Sequence, residues 1–315
     1  MSRIQLNTRA SELARSAADR ADELRIDVHA DGQVSVMDFG VRASGGVDAG
    51  LLLARMCMAD VGRADLQAAG PEIDLPQVFV RTDHPLEACL LSQYAGWKIA
   101  TDDFFAMGSG PMRAVAGSED LFQEFPIQDD ADTCVGVLES GSLPTESAVR
   151  VIQQAVGEAR PLYIAVAPTA SQAGTLQVVA RSVETAMHKL HELKFPVECV
   201  RSGTGAAPLP PIAENDLKGI GRTNDSILYG SSVNLWVECE DRVIEELGPQ
   251  TPSNSSAAHG RSFLDLFVEA DHDFYALDKA LFSPAVVNFH NLSTGNSFRF
   301  GEKVPDLLHE SFGLS

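Results

Sequence analysis

The sequence predicts an α/β fold with mixed α+β features, arranged as two α/β domains with an interdomain cleft. Three observations predict it. The 315 residues exceed the span that one hydrophobic core usually serves. Short apolar runs of strand character alternate with stretches of helical periodicity. Two hairpin patterns interrupt that alternation, so a purely parallel sheet is not expected.

The elements follow in order. Residues 6–24 read as a helix, with Ala10, Leu13, Ala14, Ala17, Ala21 and Leu24 at three-to-four spacing. A hairpin over 26–36 follows, with Asp31-Gly32 as a type I′ turn. The Gly45-Gly46 break precedes a helix at 48–58, VFVRTD (78–83) reads as a strand, and 84–97 as a helix. FFAMGSGPMRAVAG (104–117) begins as a strand and turns Gly-rich, and acidic residues mark 119–132. That acidic stretch is the expected seam, giving domains 1–130 and 131–315, with the C-terminal hairpin a candidate to pack back on the first.

Beyond it, CVGVLES (134–140) and LYIAVAP (162–168) read as parallel strands flanking a helix that starts near Pro144. One long helix is expected over 172–194. SGTGAAPLPP (202–211) reads as a loop, ILYGSSVNLWVEC (227–239) as a strand, 262–271 and 273–282 as short helices, and 286–302 as a hairpin.

Composition narrows the function. A formal charge of −20 and the lack of any Lys/Arg-rich run argue against a nucleic-acid partner, whose backbone selects basic patches. No apolar run reaches the ~18–20 residues of a membrane span. The N-terminus MSRIQLNTRASELARSAADR has no apolar signal core, so a cytoplasmic location is expected. Cys57, Cys89, Cys134, Cys199 and Cys239 are widely spaced and odd in number. They fit reduced thiols rather than a disulfide framework or zinc site.

The 172–194 segment carries the most chemistry. Leu176, Val179, Val183, Met187 and Leu190 form an apolar stripe, and Arg181, Glu184, His188 and His191 fall on another. Arg181–Glu184 reads as a surface ion pair or as a carboxylate base with a cation beside it. Arg preceding Glu is the weaker orientation for helix support. In the second reading the cation holds Glu184 ionised while burial opposes it, poising the group for proton transfer. Glu184, His188 and His191 also have the residue types of a metal-dependent hydrolase, although HExxH is absent.

GSGPMR (108–113) reads as a turn, or as a cradle in which Gly108 and Gly110 let a ligand approach the backbone. Ser109 and Arg113 would add polar contacts. It matches neither a Walker A loop nor a dinucleotide fingerprint. GRTNDSILYG (221–230) offers Arg222, Asn224 and Asp225 on a loop before a strand. Asn288, His290 and Asn291 lie in the last hairpin pattern. No GxSxG elbow occurs.

Four segments in one order, MGSGPMRA (107–114), LQVVARSVETAMHKLHEL (176–193), GRTNDSILYG (221–230) and DFYALDKALFSPAVVNFHNLSTGNSF (273–298), resemble the methenyltetrahydromethanopterin cyclohydrolases. The likeness covers nearly the whole chain. It implies hydrolysis of a cyclic methenyl cation on a tetrahydropterin carrier to the N5-formyl form, in one-carbon metabolism such as formaldehyde oxidation. It implies a homotrimer of two-domain subunits, with substrate in the interdomain cleft and no metal or nucleotide cofactor. It places the catalytic pair on Glu184 and Arg181. Substrate contacts are expected from Gly108, Ser109, Gly110, Arg113, Arg222, Asn224, Asp225 and Asn288. Met112 departs from the Ala that the resemblance has there. A carrier-binding protein without turnover is the main competing reading.

Overall fold

The computed structural model describes residues 4–70, 72–127 and 129–314. Its strands are β1 (Asp27–Asp31), β2 (Val34–Asp38), β3 (Gly62–Gln67), β4 (Gln77–Thr82), β5 (Trp97–Thr101), β6 (Phe104–Ser109), β7 (Cys134–Glu139), β8 (Leu162–Ala167), β9 (Val200–Pro208), β10 (Ser232–Val237), β11 (Val286–Asn291) and β12 (Ser297–Gly301). They build two six-stranded mixed sheets, ordered β1-β2-β8-β7-β6-β5 and β12-β11-β10-β9-β4-β3. The α/β class with hairpins at the sheet edges is therefore observed.

The chain divides into two compact units, Met1–Arg63 with Glu87–Gln177, and Ala64–Leu86 with Val178–Ser315. These units do not follow the expected cut at residue 130. The acidic 119–132 stretch is not a seam, because its carboxylates hold the first unit together. Asp129 accepts from the Asn7 backbone N–H at 2.8 Å and from Asn7 Nδ2 at 2.9 Å. Asn7 is fully buried. It also donates to Pro111 O at 2.7 Å and accepts from Val135 N at 2.9 Å.

The first unit contains α1 (Leu6–Asp19), α2 (Ala21–Leu24), α3 (Val47–Cys57), α4 (Met112–Ala116), α5 (Leu121–Glu124) and α6 (Glu146–Val156). β2, β8 and β7 run parallel, and α6 links β7 to β8 as the alternation requires. Thr145 caps α6 by accepting from Ala148 N at 3.4 Å. Ala148, Ile152 and Val156, four apart, press one helix face onto Val34, Leu138, Ile164 and Val166. The β1–β2 hairpin pairs Asp31 with Val34, so its loop is Gly32-Gln33, one residue later than expected. Only Gly32 of the two has positive φ (58°), which fits a II′ rather than a I′ turn. The segment expected as a helix over 84–97 is a shorter π-helix, Leu86–Gln93.

The expected 172–194 helix is two helices, α7 (Gln172–Val179), most of which belongs to the first unit, and α8 (Ser182–Glu192) of the second. The apolar stripe holds across the break, since Leu176, Val179, Val183, Met187 and Leu190 are all fully buried. α9 (Asp216–Asp225), α10 (Asp241–Leu247), α11 (Phe263–Glu269) and α12 (Pro305–Phe312) complete the unit. Leu228, Tyr229, Phe263, Phe267, Leu308 and Phe312 form a core among α9, α11 and α12. The 273–282 segment holds only 3₁₀ turns. The β11–β12 hairpin pairs antiparallel as expected, and β11 runs parallel to β10. It thus extends the second sheet. All five cysteines are free thiols, and among the described residues no helix is long and apolar enough to cross a membrane.

Candidate active site

Arg181 and Glu184 sit at the start of α8, not midway along one helix. Arg181 is the N-cap, with φ −90° and ψ 8°, the sparsely allowed bridge region where active-site residues recur. Its N–H bonds back to Val178 O at 3.0 Å, a short i→i−3 link. Its carbonyl accepts both Thr185 N at 2.8 Å and Thr185 Oγ1 at 2.9 Å. The i→i−3 link at Arg181 marks the break, and the regular ladder resumes with the Thr185 N–H. Glu184 becomes the third residue of a new helix. The exposed N–H groups of a helix start favour a carboxylate. Both side chains are deeply buried, each with 6% exposure. That removes the surface-ion-pair reading.

The position of this turn is fixed by glycines of β9. SGTGAAP, expected as a loop, is a strand whose Gly203 and Gly205 face α8. A Cβ at Gly203 would lie 2.8 Å from Val183 Cγ1. One at Gly205 would collide with Ser182 Oγ and come within 3.1 Å of Val183 Cγ2. Glycine inside a strand marks such an approach, and it is the signal that reading these residues as a turn missed. Ser182 is fully buried. The opposite face of α8's sheet carries Asn288, whose Nδ2 donates to Val233 O at 3.3 Å and Asn234 Oδ1 at 3.2 Å. Side chains alternate across a strand, so the sheet lies between Asn288 and the α8 turn. Asn288 is not brought to Glu184.

His188 is pushed down to about 4, chiefly by burial, with Glu192 opposing. It is neutral at neutral pH. Among the described residues no three His, Cys, Asp or Glu side chains are grouped so as to hold a metal. The Glu184–His188–His191 triad is therefore not assembled.

The GRTNDSILYG segment is not a loop before a strand. It is the end of α9 followed by a π-type turn at Ser226–Gly230, and β10 starts only at Ser232. Its polar residues serve the fold. Arg222 Nη1 donates to Pro211 O at 3.1 Å, and its Nε to Ser311 O at 3.3 Å. Asn224 Nδ2 donates to Ile220 O at 2.9 Å. Asp225 is fully buried. It accepts Phe263 N at 2.8 Å and Ser311 Oγ at 2.6 Å, joining α9, α11 and α12. Burial pushes its carboxyl up to about 7, against the pull of those two donors.

The GSGPMR segment of the first unit is likewise interior. A Cβ at Gly108 would meet Ile99 Cδ1 at 2.9 Å and Trp97 O at 3.0 Å. Gly110 has φ 87° and lies close against the Val135–Val137 backbone. Ser109 Oγ sits 3.2 Å from Cys57 Sγ and 3.2 Å from Val137 O. Arg113 is fully buried. It is bidentate to Glu119 at 2.8 and 2.6 Å, donates to Leu90 O and Ser92 O, and lies over Tyr94 and Phe122. Strand packing and a buried ion pair account for these four residues. Met112 packs on Gly136, so its larger side chain is absorbed by a glycine on β7. Sequence reading also missed Asp38. Fully buried, it accepts four backbone N–H groups from Gly40 to Ala43 and shapes the loop after β2.

A family model described as cyclohydrolase (MCH) matches residues 5–312. The chain belongs to this family. Relatives named methenyltetrahydromethanopterin cyclohydrolase span the chain. The protein from Rhodopirellula baltica is 46% identical over 286 residues, 89% of this chain and 86% of its own. That from Methylobacillus flagellatus is 39% identical over 313 residues, covering 98% and 96%. The archaeal one from Methanosarcina mazei is 37% identical over 319 residues, covering 99% of each. The family resemblance drawn from the four segments is thus borne out over the whole length.

Two outcomes are expected. Gly205→Ala should displace the α8 turn and lower cyclohydrolase turnover by about 10²-fold while circular dichroism stays unchanged; wild-type turnover would show that the close approach does not position the site. For Asp225, the folded value of about 7 lies above the ordinary 3.8. The folded state then holds a proton that the unfolded chain has lost, so this group's stabilisation declines as pH rises through that window, by at most about 1.4 kcal/mol per unit. Asp225→Asn should therefore gain stability relative to wild type from about pH 4 to 7 in urea titrations; parallel profiles would contradict the burial argument.

Proposed function

We propose that this protein hydrolyses 5,10-methenyltetrahydromethanopterin to 5-formyltetrahydromethanopterin. The single observation that carries the reading is that Arg181 and Glu184 are both buried at one helix start in a chain of the cyclohydrolase family. The names of its relatives supply the substrate.

The chemistry asks little of the protein. The methenyl carbon is already part of an amidinium-like cation, so it needs no Lewis acid to accept a nucleophile. We therefore propose that the reaction uses no metal or nucleotide. A carboxylate near that cation stabilises it by charge and can take a proton from water. Glu184 accepts one water proton as the oxygen bonds to the methenyl carbon. The C–N10 bond of the adduct then breaks as the C=O forms. The second water proton ends on N10, and the first leaves to solvent. Arg181, three residues before it at the same helix start, positions Glu184. The −20 charge also favours the approach of a cationic substrate group.

Substrate contacts of Gly108, Ser109, Gly110, Arg113, Arg222, Asn224 and Asp225 are retained only as indirect ones. Each would act only by holding the local fold of its own unit. A cytoplasmic location and a homotrimer complete the proposal, both supported by the family likeness. Loss of the substrate's near-ultraviolet absorbance measures turnover. Glu184→Gln should lower kcat by about 10²–10⁴-fold, Arg181→Ala should also cripple it, and a chelator should leave the wild type untouched. Wild-type turnover by Glu184→Gln would overturn the assignment and favour binding without catalysis.

A further inference from the structure

The C-terminal turn of α3 gathers an unusual charge cluster in the first unit. Ala59 and Asp60 both take left-handed backbone, with φ of 53° and 52°. The turn closes through Asp60 N–H to Arg55 O at 2.8 Å. Three guanidiniums converge on Asp60. Arg55 reaches Oδ1 through Nε at 3.1 Å and Nη2 at 2.8 Å. Arg63 Nη1 pairs with Oδ1 and donates to Asp60 O at 3.2 Å. Arg9 Nη2 donates to Asp60 O at 2.9 Å and lies 3.9 Å from Oδ2.

The balance of charge is the informative point. Three cations share one carboxylate, in a chain whose formal charge is −20. Complementing the carbonyls at the end of α3 would need one cation at most. Two further guanidiniums beside it repel each other unless an anion offsets them. Each carries five donors in a planar fork, suited to two oxygens of a phosphate or carboxylate. The side chains of Arg9, Arg55 and Arg63 are 45%, 31% and 42% exposed, while Asp60 is 17% exposed. The cluster is thus anchored from beneath and open to solvent above. Asp60 fixes the forks in place, which reduces the entropy lost when an oxyanion arrives.

We propose that Arg9, Arg55 and Arg63, held around Asp60, form a binding site for a phosphate-type oxyanion. The oxyanion comes either from a charged group on the tail of the pterin substrate or from a free phosphorylated metabolite. The site does not depend on the Glu184 assignment, because its occupancy is read by binding alone.

Calorimetric titration of the full-length protein with inorganic phosphate, at low ionic strength and with chloride as control, tests it. Wild type should bind phosphate and not chloride. Arg9→Gln/Arg63→Gln should weaken binding by about tenfold or more, the worth of one charge-assisted contact. Arg9→Gln alone, at the most exposed position, should weaken it in the same direction if the double variant folds poorly. A raised KM for the methenyl substrate with unchanged kcat in the variants identifies the substrate tail as the source. An unchanged KM with lost phosphate binding identifies a separate metabolite. No phosphate binding by wild type, or equal binding by the variants, overturns the proposal.

Discussion

The first turn of α8 lies against β9 at a distance that only glycine permits. Val183 and Ser182 occupy the space that side chains at 203 and 205 would fill. Everything proposed for Glu184 depends on that approach. It places a helix start, with its N–H groups, at a buried position, and it seats the carboxylate three residues in. Val183, Met187 and Leu190 anchor the rest of the helix in the core. A close-packed interface of this kind resists small displacements, which is what an oriented base requires.

Two buried arginines show how the same residue serves different ends. Arg113 is bound bidentately by Glu119 and capped by two carbonyls and two rings. Its charge is matched within the fold, and breaking one partner would strand the other. Arg181 sits at a helix break with bridge-region backbone, next to a carboxylate at a helix start. A helix break and an anion-favouring terminus together suit the carboxylate proposed as the base.

Much of the fold was legible in the sequence, and the reasons are physical. Period-two and helical patterns located most strands and the α8 stripe, because one-sided burial writes itself into spacing. β5 and β3 were missed, since polar residues such as Lys98 and Arg63 hide their alternation. Acidity over 119–132 reads as a seam in the sequence, whereas Glu119 and Asp129 pair with Arg113 and Asn7 inside the first unit. In the candidate site, Arg181 and Glu184 were found through family segments, not through spacing, which favoured a surface pair. The Gly-rich and Asn-Asp segments were read as ligand loops. Glycine and aspartate serve close packing and buried capping equally well, and only the neighbours of Gly108, Gly110 and Asp225 decide which. Asn288 was placed correctly in a hairpin but on the far side of its sheet from α8.

The central claim is that Glu184 directs water at the methenyl carbon. A crystal structure of Glu184→Gln with the methenyl substrate bound tests it most directly. The account predicts an ordered water within about 3 Å of both the residue 184 amide and the methenyl carbon, with Arg181 beside them. A methenyl carbon bound well beyond the reach of one bridging water from residue 184 would contradict it.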